Sequence, residues 1–417
     1  MGVLVRKPQG CDEYMRHTCI AVGDIEIKCV SLQQKLNIKY SNKMKRMNIL
    51  KWIALPVSLV AIVGCGGNKT EYTINGTLSD EAFEGANVFM VNVENQAEKL
   101  DSAVVTNGTF TFNGQLESPV IANIIALTTG NNHKMVECVV ENGTIAVDMD
   151  NNKVSGTPQN EALMQIANTV KDYEAYLREL YKEYLAAPTE EERKAVEAIY
   201  DSVVTIYQAK EIAALENAYN ENSDKVLGAY AFYQLVKSKR DVGSISSVQV
   251  DSILATAAPV VKNFSLTTKV LDGMRNLEKT SVGKTYTDLD LLEGEAMTAT
   301  KLSQHIDGKV ALIDFWASWC GPCRAEIPNI AEMHKRYADK GLVVVGLNVW
   351  DKPEAQQKTI EAMNMTWLQL ADSTKNATNV YGVQGIPQIM LIGKDGVIVA
   401  RDLRGEAIEA AIIEALK

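Results

Sequence analysis

The chain has 417 residues, 46% of them hydrophobic and 23% charged, a composition typical of globular domains rather than of a collagen-like fibre, a disordered chain or a polytopic membrane protein. Residues 1–64 carry ten basic and four acidic side chains, so the remainder holds 32 Lys and Arg against 48 Asp and Glu. This acidic balance excludes nucleic acid as a partner, because phosphate binding needs clustered basic side chains. At roughly 100–200 residues per domain, the length predicts a multidomain chain.

A secretion signal is predicted at residues 44–64. Met44 opens a short basic segment, and residues 52–63 form an apolar stretch that is shorter than the roughly 20 residues of a membrane-spanning helix. The stretch runs into Ile62-Val63-Gly64-Cys65, which resembles a bacterial lipobox. The resemblance implies that the signal is removed, that Cys65 is lipidated, and that the protein is anchored to the cell envelope facing the periplasm. An uncleaved anchor or a buried strand is the alternative.

Residues 1–43 show neither helical nor strand periodicity. Because a second methionine opens the signal directly after them, the simplest interpretation is a mis-assigned start. The alternative is an extension of unknown role. Residues 65–71 are predicted to be a short tether between the lipidated cysteine and the first domain.

Residues 72–150 are predicted to form a small antiparallel β-sandwich or barrel. Short β-rich runs recur at residues 86–93, 120–127, 135–140 and 144–149. Asn107-Gly108 and Asn142-Gly143 lie between alternating segments, and Asn-Gly suits the positive φ angles of a two-residue turn. We therefore expect a hairpin at each Asn-Gly pair.

Residues 158–280 are predicted to be helical. Two long segments, 161–185 and 190–220, are rich in Ala, Glu, Lys and Leu, and shorter helices are expected near 225–237, 248–257 and 267–278. Thr189 and Glu192 have the spacing of a capping box at the start of the second long helix. Neither this region nor the β-rich one carries a catalytic motif. The tyrosines along the helices are assigned to packing rather than to a ligand groove.

Residues 281–417 alternate between strand and helix patterns and predict an α/β domain. Residues 310–315 form an apolar strand without polar alternation, as expected in a sheet covered on both faces. Helices are expected at 323–340, 354–363 and 406–416, and strands at 342–349 and 367–370. Residues 387–392 and 397–403 predict an antiparallel hairpin across a Gly-Lys-Asp-Gly turn.

The strongest chemical signal is Trp319-Cys320-Gly321-Pro322-Cys323, at the point where the buried strand is expected to turn into a helix. Unpaired N–H groups and the macrodipole at a helix N-terminus stabilise a thiolate, which favours Cys320 as the nucleophile and the more deeply placed Cys323 as the resolving thiol. Pro322 suits the first turn, where its missing N–H has no partner to lose.

This motif in its context resembles the thioredoxin superfamily, and within it the TlpA/ResA-like group of envelope thiol-disulfide oxidoreductases. The resemblance covers about residues 281–417. It implies a thioredoxin-like fold with a mixed central sheet, and a redox-active Cys320–Cys323 disulfide without any other cofactor. The upstream region resembles an uncharacterised β-domain that accompanies thioredoxin domains in envelope lipoproteins.

Further site residues follow from the same segments. Asp314 is the single charged residue of strand 310–315, and a buried, isolated carboxyl is expected to have a raised pKa. The resemblance implies that Asp314 accepts the proton of Cys323, but Glu326 matches an active-site glutamate of the ResA-like group, so the proton acceptor is left open. Ile386-Pro387 stands where the superfamily has a cis-proline facing the cysteines, with the Ile386 backbone free to pair with substrate.

Other roles for the cysteines are weaker alternatives. A zinc site needs two more ligands, and neither His305 nor His334 has ligand spacing, so no metal is predicted. A thiol peroxidase of the AhpC/TSA type has a Pro-x-x-x-Thr-x-x-Cys run, but Ile313 and Ala317 stand at its Pro and Thr positions. A purely structural disulfide across so short a loop stabilises little. Cys138 is interpreted as an inert strand residue.

The predicted function is thiol-disulfide exchange in the bacterial envelope. Gly-Pro between the cysteines is the thioredoxin dipeptide and favours a reductase, since thioredoxin has a potential of about −270 mV. The resemblance implies disulfide-bonded clients such as apocytochrome c, and an oxidising compartment requires that a membrane thiol-reductant transporter supply electrons. The alternative from another class is a binding or scaffold lipoprotein whose β and helical regions are the working part.

Overall fold

The computed structural model of the protein describes residues 70–417, apart from 129, 131 and 373–375. The predictions for residues 1–43, for the signal at 44–64 and for a lipidated Cys65 concern residues outside this described part. Within it, no helix combines the length and the apolar character needed to cross a bilayer.

The first described region is a β-sandwich of two four-stranded sheets with a shared core. Its strands are β1 (Thr70–Thr77), β2 (Asn87–Asn92), β3 (Lys99–Val104), β4 (Thr109–Leu116), β5 (Val120–Leu127), β6 (His133–Val140), β7 (Gly143–Asp148) and β8 (Lys153–Ser155). The sheet orders are β4-β1-β7-β8 and β3-β2-β5-β6. Alternate side chains such as Ile74, Phe112, Met90 and Ile124 fill the space between the sheets.

Three details of this region differ from the sequence predictions. The β1 strand begins inside the predicted tether, and β8 lies in the predicted linker after residue 150. The sandwich is also not wholly antiparallel, because β1 pairs in parallel with β7. Short strands at the ends of a domain carry too few alternating residues to be recognised, and pairing direction is not encoded in the alternation itself.

The prediction of a hairpin at each Asn-Gly pair was wrong at the level of strand pairing. Asn107 and Gly108 do have positive φ angles of 51° and 69° and form a tight turn between Thr106 and Thr109. However, β3 and β4 then diverge into different sheets, as do β6 and β7 on either side of Asn142-Gly143. An Asn-Gly pair specifies the local turn, whereas the core decides which sheet each strand joins.

The second region, as predicted, is helical. Its helices are α1 (Pro158–Ala186), α2 (Glu190–Glu221), α3 (Val226–Asp241), α4 (Ser247–Thr256), α5 (Pro259–Lys262) and α6 (Ser265–Lys279). The capping box at Thr189 and Glu192 is present at the start of α2.

The helical region packs on the outer face of the second sheet. Ile121 and Val139 of that sheet share a core with Leu227 and Phe232 of α3. Buried Asn160 ties α1 to the sheet edge, because its side chain accepts from Val139 N at 2.9 Å and donates to Val139 O at 2.7 Å. The β and helical regions are therefore joined by both apolar packing and hydrogen bonds.

The third region has a thioredoxin-like fold, as predicted. Its strands are β9 (Asp290–Glu293), β10 (Thr298–Lys301), β11 (Val310–Trp316), β12 (Leu342–Asn348), β13 (Leu368–Ala371), β14 (Gln388–Ile392) and β15 (Ile398–Ala400). Its helices are α7 (Ser303–Ile306), α8 (Gly321–Tyr337), α9 (Pro353–Ala362), α10 (Asn376–Val380) and α11 (Glu406–Ala415). The mixed sheet has the order β10-β9-β13-β12-β11-β14-β15.

Strand β11 lies in the middle of this sheet and carries the candidate site at its carboxyl end. It pairs in parallel with β12 and antiparallel with β14. All of its residues are buried because apolar clusters cover both faces of the sheet. The hairpin of β9 and β10 was not predicted, since its strands are short and mix polar with apolar residues.

Candidate active site

Cys320 and Cys323 form a disulfide where β11 turns into α8, with the sulfur atoms 2.01 Å apart. Cys320 is the N-cap residue of α8, and its Sγ atom accepts a hydrogen bond from Cys323 N at 3.1 Å. The exposed fraction of Cys320 is 4% and that of Cys323 is 0%. The helix N-terminus thus presents N–H groups to the Cys320 sulfur, and Cys320 has the small opening to solvent.

The Ile386–Pro387 loop faces this cysteine pair. The peptide bond between the two residues is cis, and Ile386 O lies 3.7 Å from Cys320 Sγ. In the described part of the chain, no residue hydrogen-bonds to Ile386 N. A backbone donor and a backbone acceptor therefore stand beside the disulfide, as an extended substrate segment requires.

Trp319 is the exposed residue of the motif, with 62% of its surface accessible. Its indole N–H donates to Trp350 O at 3.1 Å, which holds the ring over the turn that follows β12. Gly321 and Pro322 are exposed in the first turn of α8. These residues form the solvent-facing rim around the disulfide.

Asp351 fixes the turn before the cysteines, a role that sequence reasoning missed. Its carboxylate accepts from Ser318 N at 2.6 Å and from Ser318 Oγ at 2.9 Å. Asn348 Nδ2 donates to the same carboxylate at 3.1 Å. Its position in the sequence could have revealed this role. Asp351 follows β12 and Ser318 follows β11, and the carboxyl ends of two parallel neighbouring strands meet at one edge of the sheet.

Asp314 is buried in β11, with 1% of its surface exposed, and neither carboxylate oxygen has a hydrogen-bond partner among the described residues. Burial raises the pKa of this carboxyl to about 7, the nearby Arg404 charge lowers it, and the Glu326 charge raises it further. Such a carboxyl can take up or release a proton near neutral pH.

Glu326 is half-buried on α8 and is held in a different way. Its Oε1 atom accepts from Asn329 Nδ2 at 2.7 Å and from Gly405 N at 3.2 Å. Arg404, which the sequence did not single out, donates to Leu403 O at 2.6 Å and also to Pro387 O. Glu326 therefore braces the segment that supports the cis-proline loop, whereas the oxygens of Asp314 lack such bonds.

Cys138 lies far along the chain from this pair, fully buried in β6, and burial raises the pKa of its thiol to about 12. We therefore expect iodoacetamide at pH 7 to label Cys320 first in the reduced protein, Cys323 more slowly, and Cys138 only after unfolding. Peptide mapping of the alkylated protein over time checks the order. Preferential labelling of Cys323 would reverse the roles given to the two cysteines.

Two protein-family models match parts of the chain. The AhpC/TSA family model matches residues 282–401, and a domain of unknown function, DUF4369, matches residues 72–163. The first match contains both cysteines, Asp314, Glu326 and the cis-proline loop but ends before Arg404. The second covers the β-sandwich from its third residue and the start of α1.

Three curated relatives are thiol-disulfide exchange proteins. The thiol-disulfide oxidoreductase ResA of Geobacillus thermodenitrificans is 32% identical, over 28% of this chain and 68% of its own length. ResA of Bacillus thuringiensis is 27% identical over 34% of this chain and 79% of its own. The thiol:disulfide interchange protein HelX of Rhodobacter capsulatus is 33% identical over 23% of this chain and 52% of its own.

Among solved structures, the thioredoxin domain of a thiol-disulfide oxidoreductase from Bacteroides vulgatus is similar to this chain. The identity is 26% and the TM-score is 0.31, with 33% of this chain and 99% of that one covered.

Proposed function

Because the chain belongs to the ResA-like thiol-disulfide oxidoreductases of the thioredoxin superfamily, we propose that it reduces disulfide bonds in client proteins of the bacterial envelope. The observation that carries the proposal is the Cys320–Cys323 disulfide at the N-terminus of α8, beside the cis-proline loop and the buried Asp314.

In the first step, the reduced protein forms a bond to the client. The Cys320 thiolate attacks one sulfur of the client disulfide, the client S–S bond breaks, and the other client sulfur leaves as a thiolate that takes a proton from solvent. The product is a mixed disulfide between Cys320 and the client. Ile386 N and O are positioned to pair with the backbone of the client segment on either side of its cysteine.

In the second step, Cys323 resolves the mixed disulfide. Asp314 accepts the Cys323 proton, and the resulting thiolate attacks Cys320 Sγ. The bond between Cys320 and the client breaks, the client sulfur leaves and is protonated, and the Cys320–Cys323 disulfide is restored. Two electrons have moved from the protein to the client, so a dithiol donor must reduce the pair again.

The direction of exchange follows from the dipeptide between the cysteines. Gly-Pro is the thioredoxin pair, and a potential near that of thioredoxin, about −270 mV, lies on the reducing side. In an oxidising compartment, Cys320 and Cys323 stay reduced only if electrons are supplied to them. We assign this supply to a membrane thiol-reductant transporter. Apocytochrome c, whose cysteines must be reduced before haem attachment, is a client of the right chemistry.

The envelope location rests on the lipobox at residues 62–65. We expect the mature protein to begin at a lipidated Cys65 and to partition with envelope membranes. Mass spectrometry of the N-terminal peptide from native membranes checks this, with a Cys65→Ser variant as the control that should be released to the soluble fraction. An unmodified Cys65 within a longer peptide would contradict the anchor.

Insulin reduction by the full-length protein with dithiothreitol tests the reductase function. We expect precipitation of the insulin B chain at a rate well above that with dithiothreitol alone. The AhpC/TSA match makes peroxide reduction a second candidate, so hydrogen peroxide consumption is measured in parallel. Fast peroxide consumption without insulin reduction would favour the peroxidase, although Ala317 stands where that class has its threonine.

A further inference from the structure

Helix α6, the last element of the helical region, packs against the turn at residues 379–382 of the thioredoxin-like domain. Asn276 Nδ2 of α6 donates to Asn379 O at 3.0 Å. Gly382, at a φ of 62°, lies so close to α6 that a Cβ atom on it would stand 2.8 Å from Leu277 N. Both contacts cross from the helical region into the domain that carries the disulfide.

Arg401, which directly follows β15, ties the same turn to the end of α6. Its guanidinium donates to Tyr381 O at 2.9 Å on one side, and to Thr280 O at 2.6 Å and Thr280 Oγ1 at 3.1 Å on the other. Tyr381 and Thr280 are both buried, and hydrogen bonds shielded from water are electrostatically stronger than exposed ones. The turn is therefore held to the helical region by packing and by hydrogen bonds.

This turn leads directly into the cis-proline loop. Three residues separate Gly382 from Ile386, whose carbonyl oxygen lies 3.7 Å from Cys320 Sγ. Within the described part of the chain, Gln384 and Gly385 form no hydrogen bond, and Ile386 N donates none. The position of the loop backbone therefore depends on what holds its two ends.

The two ends of the loop are held by different parts of the protein. The far end is fixed within the thioredoxin-like domain, because Arg404 donates to Pro387 O and β14 begins at Gln388. At the near end, Val383 N donates to Thr378 O at 2.8 Å and closes the turn. The contacts with α6 then determine where the closed turn lies, so a shift of the turn relative to α6 moves the near end of the loop.

We propose that the C-terminal turn of α6 is a positioning element for the cis-proline loop, and that Asn276 and Leu277 thereby set how well a client backbone pairs beside Cys320. The inference rests on the proposed reductase function and gives the helical region a part in it. Neither α6 residue touches the reacting sulfurs, so both act through residues 379–386. Misplacing a binding group by about 1 Å can lower a rate roughly a hundredfold, so loss of these contacts should slow attack on extended client segments in particular.

The test compares two mixed disulfides of thionitrobenzoate, one with the central cysteine of a short extended peptide and one with mercaptoethanol, which has no backbone to pair. Thionitrobenzoate is the better leaving group, so the Cys320 thiolate bonds to the other sulfur and thionitrobenzoate leaves as a coloured thiolate. Stopped-flow absorbance gives the second-order rate constant of the reduced full-length protein with each disulfide. Each constant is divided by that of glutathione, which corrects for intrinsic reactivity. We expect the corrected peptide-to-mercaptoethanol ratio, the peptide ratio, to be about ten in the wild type, as two backbone hydrogen bonds allow.

The first variant separates the turn from α6. Gly382→Ala adds a Cβ atom that cannot fit beside Leu277, so the turn has to move. Gly308→Ala is the matched control, because it places alanine at a similar φ of 72° with no atom within 4 Å of the new Cβ. We expect the peptide ratio to fall to within about twofold of one in Gly382→Ala and to keep its wild-type value in Gly308→Ala.

The second variant acts from the helical side and leaves the thioredoxin-like domain unchanged. Asn276→Ala removes the hydrogen bond to Asn379 O and should lower the peptide ratio about threefold. Lys279→Ala, at an exposed position of the same helix, is its control and should keep the wild-type ratio. Melting curves followed by circular dichroism show whether each variant is folded, and if Gly382→Ala is not, the comparison of Asn276→Ala with Lys279→Ala decides alone.

A peptide ratio that keeps its wild-type value in Gly382→Ala and Asn276→Ala, or one that falls equally in their controls, would overturn the positioning role. A wild-type peptide ratio near one would also overturn it, because the loop would then give clients no advantage. Failure of the reduced wild-type protein to react with either disulfide would instead overturn the proposed reductase function, so the two failures are distinguishable.

Discussion

A Cys320→Ser variant is expected to reduce insulin no faster than dithiothreitol alone. The hydroxyl of serine is not ionised at neutral pH and cannot displace a thiolate from a disulfide, and Cys323, with none of its surface exposed, cannot reach a client directly. The comparison is made by insulin turbidity at equal protein concentration. Cys138→Ser is the matched control, because that thiol is fully buried in the sandwich and far from the site.

Replacing each cysteine of the pair by serine should block a different step of the exchange. Cys323→Ser retains the nucleophile, so it should form the mixed disulfide in a single fast phase and then stall, whereas Cys320→Ser should form none. Equal loss of the fast phase in both variants would mean that Cys320 is not the attacking thiol. If Cys320→Ser kept activity and the additional Cys138→Ser substitution removed it, the reacting thiol would lie in the β-sandwich rather than in the thioredoxin-like domain.

Asp314→Asn is expected to slow resolution of the mixed disulfide by roughly ten- to a hundredfold near pH 7, the usual effect of losing one general base. Asp314 is fully buried with a pKa raised to about 7, so in the wild type it can accept the Cys323 proton at the working pH. The mixed disulfide forms from a peptide whose cysteine is bound in a disulfide to thionitrobenzoate, which leaves as a coloured thiolate in that first step. The later decay releases only the colourless peptide thiol, so it is measured by acid quenching at set times, alkylation and mass spectrometry of the remaining adduct. The difference should shrink as the pH rises, because hydroxide increasingly takes the place of the missing general base.

The same substitution should change stability in a pH-dependent direction. The pKa of Asp314 is raised in the folded protein, so folding favours the neutral carboxyl, and its stabilisation is fully present below the unfolded value of 3.8 and is lost as the pH rises to about 7. Between these two pH values the free energy of unfolding falls by roughly 4 kcal/mol because of this one group. Asparagine stays neutral, so Asp314→Asn should match the wild type near pH 4 and be more stable by several kcal/mol at pH 8, as measured by urea unfolding.

Glu326→Gln is the matched carboxylate control for both measurements. Glu326 is half-buried and already accepts hydrogen bonds from Asn329 and Gly405, so its loss should slow resolution less than the loss of Asp314. If Glu326→Gln is instead the slower variant, the ResA-like glutamate is the proton acceptor and Asp314 is a buried strand residue without a catalytic part.

Much of the thioredoxin-like domain could be predicted from the sequence because its elements are marked by local signals. Strand β11 is an uninterrupted apolar run, and the Cys-Gly-Pro-Cys segment identifies both the strand end and the helix start. The raised pKa of Asp314 could be anticipated from its apolar neighbours in the strand, whereas the cis bond at Pro387 was expected only from the resemblance to the thioredoxin superfamily.

The features that escaped prediction depend on contacts between distant segments. Asp351 reaches Ser318 across 33 positions, and Arg404 reaches the Pro387 carbonyl across 17, with no local pattern to mark either residue. In the sandwich, the Asn-Gly turn at Asn107 formed as expected, but the core drew its flanking strands into different sheets. Local turn chemistry and tertiary pairing are separate determinants, and only the first is written in neighbouring residues.

Trapping with a full-length Cys323→Ser variant in its own envelope tests the central claim most directly. Thiols are blocked with acid and alkylating agent, covalent adducts are separated without reductant, and mass spectrometry identifies the joined cysteines. If Cys320 is the attacking thiol, client proteins are recovered linked through Cys320, and none is recovered when Cys320 is also replaced by serine. Adducts that persist in that double variant, or the absence of adducts when the single variant still releases thionitrobenzoate in vitro, would contradict it.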